Sequence, residues 1–155
     1  AERNEDINIV IDAGGLYYMK EFGCPSNAII TPHPGEAAML LDCSVEELQK
    51  NRLEAAKELY KRYNCWIILK GYQTIVFDGE AYQCTDGGPA LSTAGTGDVL
   101  AGLIGSFLAQ GLSKIDAARF SVAIHGAAGD KFSKNKGVRG LTATKLIKII
   151  NEEML

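Results

Sequence analysis

Hydrophobic positions along the first half of the chain fall into short runs separated by stretches of mixed polarity. The runs are rich in Ile and Val and end near Gly, Pro or charged residues, which is typical of buried β-strands. They predict strands at residues 7–13, 28–31, 66–69 and 74–77. The turn signal Asp78-Gly79 follows the last run, so residues 80–84 are predicted to return antiparallel beside it.

Apolar residues at helical spacing connect these strands. Residues 16–22 predict one or two helical turns, and Pro34 suits the first turn of the helix that follows the second strand. Ser44 opens a capping box with Glu47. The pattern that follows predicts a single helix up to residue 64, which packs through Leu48, Leu53, Ala56 and Leu59.

The last third of the chain is predicted to be helical. A glycine- and alanine-rich apolar segment at 97–111 is typical of a tightly packed core helix. Ser113 and Asp116 start a second helix, whose predicted buried stripe is Ala117, Phe120, Ala123, Ile124 and Ala127. Residues 131–139 are predicted to form a basic loop, and Thr142 starts a final helix. This order of elements predicts an α/β fold on a mostly parallel sheet with an antiparallel edge.

Composition narrows the possible functions. The 155 residues are 46% hydrophobic and 23% charged and contain no repeat or linker, which predicts one domain over residues 1–155. A net charge of −3 provides no broad basic field, so we expect neither nucleic acid nor a membrane as a partner. No apolar run is long enough to span a membrane, and the acidic residues 1–6 do not resemble a signal peptide. A cytoplasmic protein with reduced, buried or half-buried thiols is predicted from the wide spacing of Cys24, Cys43, Cys65 and Cys84.

A glycine-rich turn at residues 92–102 runs directly into the apolar helix and is the most informative stretch of the sequence. Gly95 and Gly97 permit positive φ and close approach of a ligand, and the N-terminal end of the helix favours an anion there. Asp98 falls in the first helical turn, where its carboxylate is placed to accept a proton from a substrate hydroxyl. Taken alone, the same residues would also be explained by a helix cap and a tight turn.

Polar residues after the second and third strands are further candidates, because ligands bind at the carboxyl ends of parallel strands. His33 lies between two prolines, which favours contact with a ligand slightly over an exposed turn residue. The segment from Lys70 to Thr74 either ends a strand with an ordinary charge or lines the phosphate or adenine of a nucleotide.

Three other polar residues have simpler explanations. Asp12 ends the first strand, where its carboxylate either fixes a loop or binds a water that is coordinated to a metal. Glu36 in a first helical turn is favoured by the helix dipole. His125 stands among Ala and Ile at helical spacing, which favours a core or helix-interface histidine.

Three motifs follow one another along the chain: Thr-Pro-His-Pro-Gly-Glu at 31–36, Leu-Lys-Gly at 69–71 and Thr-Ala-Gly-Thr-Gly-Asp-Val-Leu-Ala-Gly at 93–102. Together they resemble the ADP- or ATP-dependent NAD(P)H-hydrate dehydratases, carbohydrate-kinase-like repair enzymes of the ribokinase superfamily. The likeness runs from about Ile9 to Gly140. It implies a ribokinase-like three-layer α/β/α fold in which a nucleotide and hydrated NADH or NADPH meet at the strand ends.

The resemblance also implies roles for particular residues. ATP or ADP, with Mg²⁺, would supply a phosphate that turns the hydroxyl of the hydrate into a leaving group, and elimination would restore the dinucleotide. Asp98 would be the base that activates the hydroxyl, and it would contact the substrate together with His33. Gly95, Thr96 and Gly97 would form the anion hole, and the nucleotide would be lined by Gly97, Lys70, Gly71, Tyr72, Gln73 and Thr74. No set of side-chain metal ligands is apparent in the sequence.

Two departures from the family pattern limit the resemblance. The second Asp of the family's Asp-Ala-Asp segment is Gly14 here, and the N-terminal part of the family's domain is not in this sequence. We therefore expect a C-terminal fragment with little activity of its own, which self-associates as a homo-oligomer through exposed strand edges. Two other functions stay open: a small-molecule kinase of the same superfamily, acting for example on hydroxymethylpyrimidine, and a non-catalytic nucleotide-binding module.

Overall fold

A computed structural model of the protein describes residues 7–153. The acidic residues 1–6, on which the argument against a signal peptide rests, lie outside the described residues. The chain divides into two compact units: residues up to 71 together with 75–82, and residues 72–74 together with those from 83 onwards. One folding domain over the whole chain stays a prediction.

Within residues 7–153, five strands form one sheet in the order β1-β2-β3-β4-β5. The first three, β1 (Ile9–Ile11), β2 (Ala28–Ile30) and β3 (Trp66–Leu69), are parallel. β4 (Ile75–Phe77) runs antiparallel to β3, and β5 (Ala81–Gln83) lies beside β4 after the short turn at 78–80. The predicted strands are all present, and the mostly parallel sheet with an antiparallel edge is confirmed.

The described residues of the first unit form four helices: α1 (Gly14–Phe22), α2 (Pro34–Leu41), α3 (Val45–Lys50) and α4 (Arg52–Tyr63). Pro34 occupies the first turn of α2, as predicted, since it needs no N–H partner there. Apolar side chains of these helices pack with one face of the strands into a shared core, which contains Leu16, Ile30, Leu40, Leu59, Ile67 and Leu69.

The single helix predicted from Ser44 to residue 64 is wrong, because the chain breaks at Asn51. Asn51 has φ −147° and ψ 74°, and its side chain accepts a hydrogen bond from the Glu54 N–H at 3.2 Å. An Asn side chain competes in this way with the helical backbone and starts a new helix. The break also changes the helical phase, so Leu48 is buried whereas Leu53 is 39% exposed.

In the second unit, the part of the chain that the structure describes forms three helices and a short 3₁₀ turn at Pro89–Leu91. They are α5 (Thr96–Ala109), α6 (Lys114–Lys136) and α7 (Ala143–Glu153). Their own core contains Ala90, Ala128, Phe132, Leu141, Leu146 and Ile150. The predicted basic loop at 131–139 is wrong over 131–136, because these residues include no Gly or Pro and α6 continues until Gly137, which has φ 79°.

The buried stripe predicted for α6 is also misplaced. Phe120 is 52% exposed, whereas its neighbours Ser121 and Val122 are buried. Ala123, Ile124 and Ala127 are only partly buried, and Ala117 is the one member of the predicted stripe that is fully buried. Small residues lie on several faces of α6, so the periodicity of the sequence alone does not determine which face is buried.

All four cysteines are free thiols, with Cys65 and Cys84 buried and Cys24 and Cys43 half-buried, as predicted. Burial raises the pKa of the Cys84 thiol. Among the described residues, no helix is both long and apolar enough to cross a membrane.

Candidate functional site

Three charged or polar side chains of the first unit meet at the carboxyl ends of the parallel strands. Asp12 follows β1, Thr31 follows β2 and Lys70 follows β3, so the parallel pairing brings them to one edge. Lys70 Nζ donates to Asp12 Oδ1 at 2.8 Å, and Thr31 Oγ1 donates to the same oxygen at 2.7 Å. Burial raises the pKa of the Asp12 carboxyl, but the bonds from Lys70 and Thr31 outweigh that effect and the net pKa is lowered.

His33 and Glu36 form the start of α2 at the same edge. His33 Nδ1 accepts hydrogen bonds from the N–H groups of Gly35 at 3.0 Å and Glu36 at 3.2 Å. Glu36 Oε2 accepts from the His33 N–H at 2.8 Å, which completes a capping box with a histidine in the place of Ser or Thr. Because Nδ1 accepts, the ring proton of His33 lies on Nε2 in this arrangement.

Glu36 joins the start of α2 to the charged pair. Its Oε2 lies 3.9 Å from Lys70 Nζ, and its side chain is only 9% exposed. The His33 side chain is 56% exposed, and its Nε2 lies 3.5 Å from Glu36 Oε1. The sequence assigned Glu36 only a favourable position in the helix dipole, so its contact with Lys70 was missed. Contact of His33 with the substrate stays a prediction.

The backbone after Lys70 is supported by Arg52, which the sequence did not single out. Arg52 Nη2 donates to the carbonyl oxygens of Leu69 at 3.1 Å and Lys70 at 3.3 Å. Gly71 has φ 132°, and a Cβ at this position would lie 2.6 Å from Arg52 Nη1. Burial lowers the pKa of the Arg52 guanidinium. In sequence Arg52 resembles any charged residue of an amphipathic helix, and no local signal marks it.

Gly14, the departure from the family's Asp-Ala-Asp segment, is the first residue of α1. A Cβ at Gly14 would meet nothing within 4 Å, so close packing does not require glycine at this position. The preceding Ala13 has φ 47° and ψ −123°, a conformation that is costly for a residue with a side chain. The turn after Asp12 is therefore held by its surroundings rather than by local preference.

Tyr72, Gln73 and Thr74 belong to the second unit. Tyr72 is 77% exposed, and Gln73 has φ 54°. Gln83 Nε2 donates to Gln73 Oε1 at 2.9 Å, and the Thr74 carbonyl accepts from the Cys84 N–H at 2.9 Å. These bonds fix the segment as a turn, and its predicted contact with the nucleotide stays a prediction.

The glycine-rich turn of the second unit ends at the N-terminus of α5, as predicted. Gly95 is the N-cap residue with φ 86°, and a Cβ there would lie 3.1 Å from Ala143 Cβ, so both conformation and space favour glycine. The buried Thr96 ties the turn together, because its Oγ1 lies 2.6 Å from the Leu91 carbonyl oxygen and 2.8 Å from that of Thr93.

Two backbone N–H groups at the start of α5 have no hydrogen-bond partner within residues 7–153. The Thr96 N–H donates to the Thr93 carbonyl at 3.3 Å. In the part of the chain that the structure describes, no acceptor is bonded to the N–H groups of Gly97 and Asp98. Unsatisfied N–H groups at a helix N-terminus attract anions. The anion-binding capacity of this turn therefore lies at Gly97 and Asp98 more than at Thr96.

Asp98 stands in the first turn of α5 with an exposed side chain. No described residue forms a hydrogen bond or ion pair with its carboxylate. His125 Nε2 donates to the Thr96 carbonyl at 2.8 Å, which attaches α6 to the first turn of α5 and confirms the helix-interface explanation of this histidine. The carboxylate is thus available on a backbone that is held in place.

An apolar groove of about 390 Å³ runs from Asp98 along α5 and α7. Its walls include Val99, Leu103, Ile147 and Ile150. An available carboxylate, two unbonded N–H groups and an apolar wall are suited to phosphate transfer to an organic hydroxyl. Among the described residues, no three His, Cys, Asp or Glu side chains cluster as metal ligands.

A family model described as NAD(P)H-hydrate dehydratase matches residues 1–152 of the sequence. The chain belongs to the NAD(P)H-hydrate dehydratase family. The Vibrio cholerae bifunctional NAD(P)H-hydrate repair enzyme Nnr is 42% identical over 145 residues, which cover 92% of this chain and 29% of that protein.

Solved structures of other proteins show the same fold. The ADP/ATP-dependent NAD(P)H-hydrate dehydratase of Bacillus subtilis, crystallised with ATP and Mg²⁺, superposes with a TM-score of 0.87 at 34% identity, covering 94% of this chain and 53% of its own. A ribokinase-like protein of Enterococcus faecalis superposes with a TM-score of 0.85 at 27% identity, covering 98% of this chain and 54% of its own. These matches confirm the predicted ribokinase-like α/β fold. The chain spans about half the length of these two structures.

Proposed function

We propose that this chain forms the phosphate-handling part of an ADP- or ATP-dependent NAD(P)H-hydrate dehydratase. The observation that carries the proposal is the start of α5, where the exposed Asp98 carboxylate stands beside two N–H groups without a described acceptor. Family membership supports hydrated NADH or NADPH as the substrate. The relative crystallised with ATP supports a nucleotide as the phosphate donor.

The N–H groups of Gly97 and Asp98 bind the terminal phosphate of the donor. Both are aligned with the positive end of the α5 dipole, so they stabilise the negative charge that the phosphate carries during transfer. Gly97 has no side chain, which lets the phosphate approach the backbone. Gly95 and Thr96 maintain the turn that presents these groups, because Gly95 has positive φ and Thr96 bonds within the turn.

Asp98 accepts the proton of the hydrate's hydroxyl group. The hydroxyl oxygen then bonds to the terminal phosphorus while the bond from that phosphorus to the leaving oxygen of ADP or ATP breaks. The phosphate leaves the organic product as inorganic phosphate when the adjacent carbon loses a proton and a double bond forms. The donor becomes AMP or ADP, and the dinucleotide is restored.

The remaining site residues have supporting roles in this proposal. His33 presents its Nε2–H to the hydrated dinucleotide, since its Nδ1 is engaged by the cap of α2. Lys70, Gly71, Tyr72, Gln73 and Thr74 line the nucleotide. Lys70 is held by Asp12 and Glu36, so the position of its side chain is set before the nucleotide binds.

Mg²⁺ accompanies the nucleotide in this proposal. The described residues include no cluster that would form a metal cage of their own, so the ion would be held by the phosphates and water. No step above depends on a metal bound to the protein. Self-association, a cytoplasmic location and low activity of this chain alone stay predictions.

The test is Asp98→Asn in the full-length protein, assayed with hydrated NADH and with ADP or ATP. We expect kcat to fall about 10²- to 10⁴-fold, because the base is lost, while nucleotide affinity changes less than about threefold. Asp116→Asn is the matched control, since Asp116 is also in the first turn of a helix of the second unit. It should keep full activity.

Two results would contradict the proposal. Asp98→Asn with activity equal to that of Asp116→Asn would leave the carboxylate without a catalytic role. Phosphorylation of hydroxymethylpyrimidine by the wild type, with no turnover of hydrated NADH, would instead assign the kinase activity.

A further inference from the structure

A second groove in the same unit lies between the end of α6 and the start of α7. We call it the basic groove, and its charged residues are Lys131, Lys136, Arg139, Lys145 and Lys148. These five are among nine lining residues, none of which is Asp or Glu. In a chain with a net charge of −3, this concentration of positive charge is unusual.

The helix dipole explains only part of this cluster. Lys136 lies in the last turn of α6, where a positive side chain is stabilised by the helix C-terminus. Arg139 lies beyond the end of α6, and Lys145 and Lys148 lie before the last turn of α7. These three need a different explanation.

Internal partners neutralise little of the charge that Lys145 and Lys148 carry. Lys145 Nζ donates to the Gly140 carbonyl at 2.8 Å, which leaves its charge uncompensated. Lys148 Nζ lies 3.9 Å from Glu152 Oε1, with the two side chains 71% and 60% exposed, so this pair is weak. Lys145 and Lys148 also share one face of α7, where like charges repel each other. A bound polyanion would remove this repulsion.

The basic groove has the dimensions of a ligand site. Its cavity measures about 380 Å³, and the buried Phe132 forms part of its floor, with Lys145 Nζ 6.0 Å above the ring centre. Small-molecule sites in proteins typically enclose about 300 to 1,000 Å³. The basic groove shares no lining residue with the apolar groove beside Asp98. It is therefore a separate concavity.

We propose that the basic groove binds a polyphosphate chain, either free or as part of a nucleotide, at a site distinct from Asp98. Successive phosphate groups carry closely spaced negative charges, which match cations that approach from two helices and the segment between them. A single carboxylate or phosphate would engage only some of these cations. The proposal does not depend on the dehydratase reaction.

The test is calorimetric titration of the full-length protein with inorganic tripolyphosphate. The triple variant K136Q/R139Q/K148Q should bind at least about tenfold more weakly than wild type, and wild-type affinity should fall as salt is added. The control K50Q/K57Q/K61Q removes the same charge from exposed lysines of α3 and α4 and should bind like wild type. Arg139→Gln alone, in the segment after α6, should weaken binding about threefold and serves if the triple variant does not fold.

A second titration with ATP identifies the source of the phosphate chain. If the basic groove binds ATP no more tightly than tripolyphosphate, its ligand is free polyphosphate. If it binds ATP more tightly, its ligand is a nucleotide. Equal tripolyphosphate affinities for the groove variants and the lysine control would overturn the proposal. Binding of a single-stranded RNA without binding of tripolyphosphate would overturn it as well. When Asp98→Asn is also present, the triple variant should weaken tripolyphosphate binding by the same factor as it does without that change. Failure of one of the two proposals would therefore leave the other intact.

Discussion

The carboxyl ends of the parallel strands in the first unit and the start of α5 in the second unit differ in whether their polar groups are paired. At the strand ends, Asp12, Thr31, Glu36 and Lys70 pair with one another and are mostly buried. At the start of α5, the Asp98 carboxylate and the N–H groups beside it have no partner among the described residues. The first arrangement stabilises and positions, whereas the second leaves its hydrogen-bonding capacity for a ligand.

The difference indicates where stability and chemistry lie in this protein. A buried pair that loses one member leaves an uncompensated charge, so disruption of the strand-end network should affect folding first. An exposed carboxylate contributes little to stability, so disruption at Asp98 should affect turnover first. The following predictions test this division.

Lys70→Met should produce the largest loss of stability. It removes the positively charged partner of Asp12 Oδ1 and leaves only the Thr31 hydroxyl, while both charged side chains are mostly buried, 18% exposed for Lys70 and 14% for Asp12. We expect a loss of about 2 to 4 kcal/mol in the free energy of unfolding, measured by urea denaturation. Lys57→Met, which breaks the exposed pair with Glu54, is the control and should cost about 0.5 kcal/mol or less. Equal losses would show that the strand-end network does not stabilise the unit.

His125→Leu should have an intermediate effect, located at the start of α5. The substitution removes the donor to the Thr96 carbonyl and should cost about 1 to 2 kcal/mol in thermal or urea unfolding. Nucleotide affinity should also weaken, because the first turn of α5 loses its attachment to α6. Ser133→Ala removes a hydrogen bond to the Gly129 carbonyl within α6 and is the control. If both variants weaken nucleotide binding equally, His125 has no special effect on the anion site.

The acid sensitivity of the network should be the smallest of the three effects. The pKa of Asp12 is lowered from its ordinary value of 3.8 in the folded protein, so the unfolded chain binds the proton more readily. This contribution to stability is complete above pH 3.8 and is lost as the pH falls through the lower, folded pKa. Asp12→Asn should therefore show a shallower decline in unfolding free energy below about pH 4. An unchanged slope would mean that Asp12 gains nothing from Lys70.

Much of the fold followed from local patterns in the sequence. The apolar runs predicted four strands, the Asp78-Gly79 turn signal predicted the fifth, and the Gly95 to Asp98 turn predicted the start of α5, because all of these depend on residues adjacent in sequence. Two errors arose where local chemistry had two solutions. Asn51 fits the helical pattern of its neighbours in sequence, yet its side chain caps a new helix. The basic residues of 131–136 suggested a loop, yet nothing in them interrupts α6.

The candidate site was predicted less completely than the fold. The sequence pointed to polar residues after the three parallel strands and at the start of α5, but not to the partners that the structure gives them. The capping role of His33 was missed because Ser, Thr, Asp and Asn are the usual residues at that position. Arg52 was missed because an arginine on the surface of a helix has the same sequence pattern as one that donates to the backbone carbonyls of Leu69 and Lys70.

The sequence by itself determined which chemical groups this protein places at strand ends and at the start of α5, because turns, caps and strand runs are local. Only the tertiary structure decided how those groups are used. Lys70 reaches Asp12 across a sequence separation of 58 residues, and His125 reaches Thr96 across 29. Such contacts depend on how strands pair and helices pack, which no stretch of neighbouring residues encodes. For that reason the charge of Lys70 is already paired, whereas the carboxylate of Asp98 remains available.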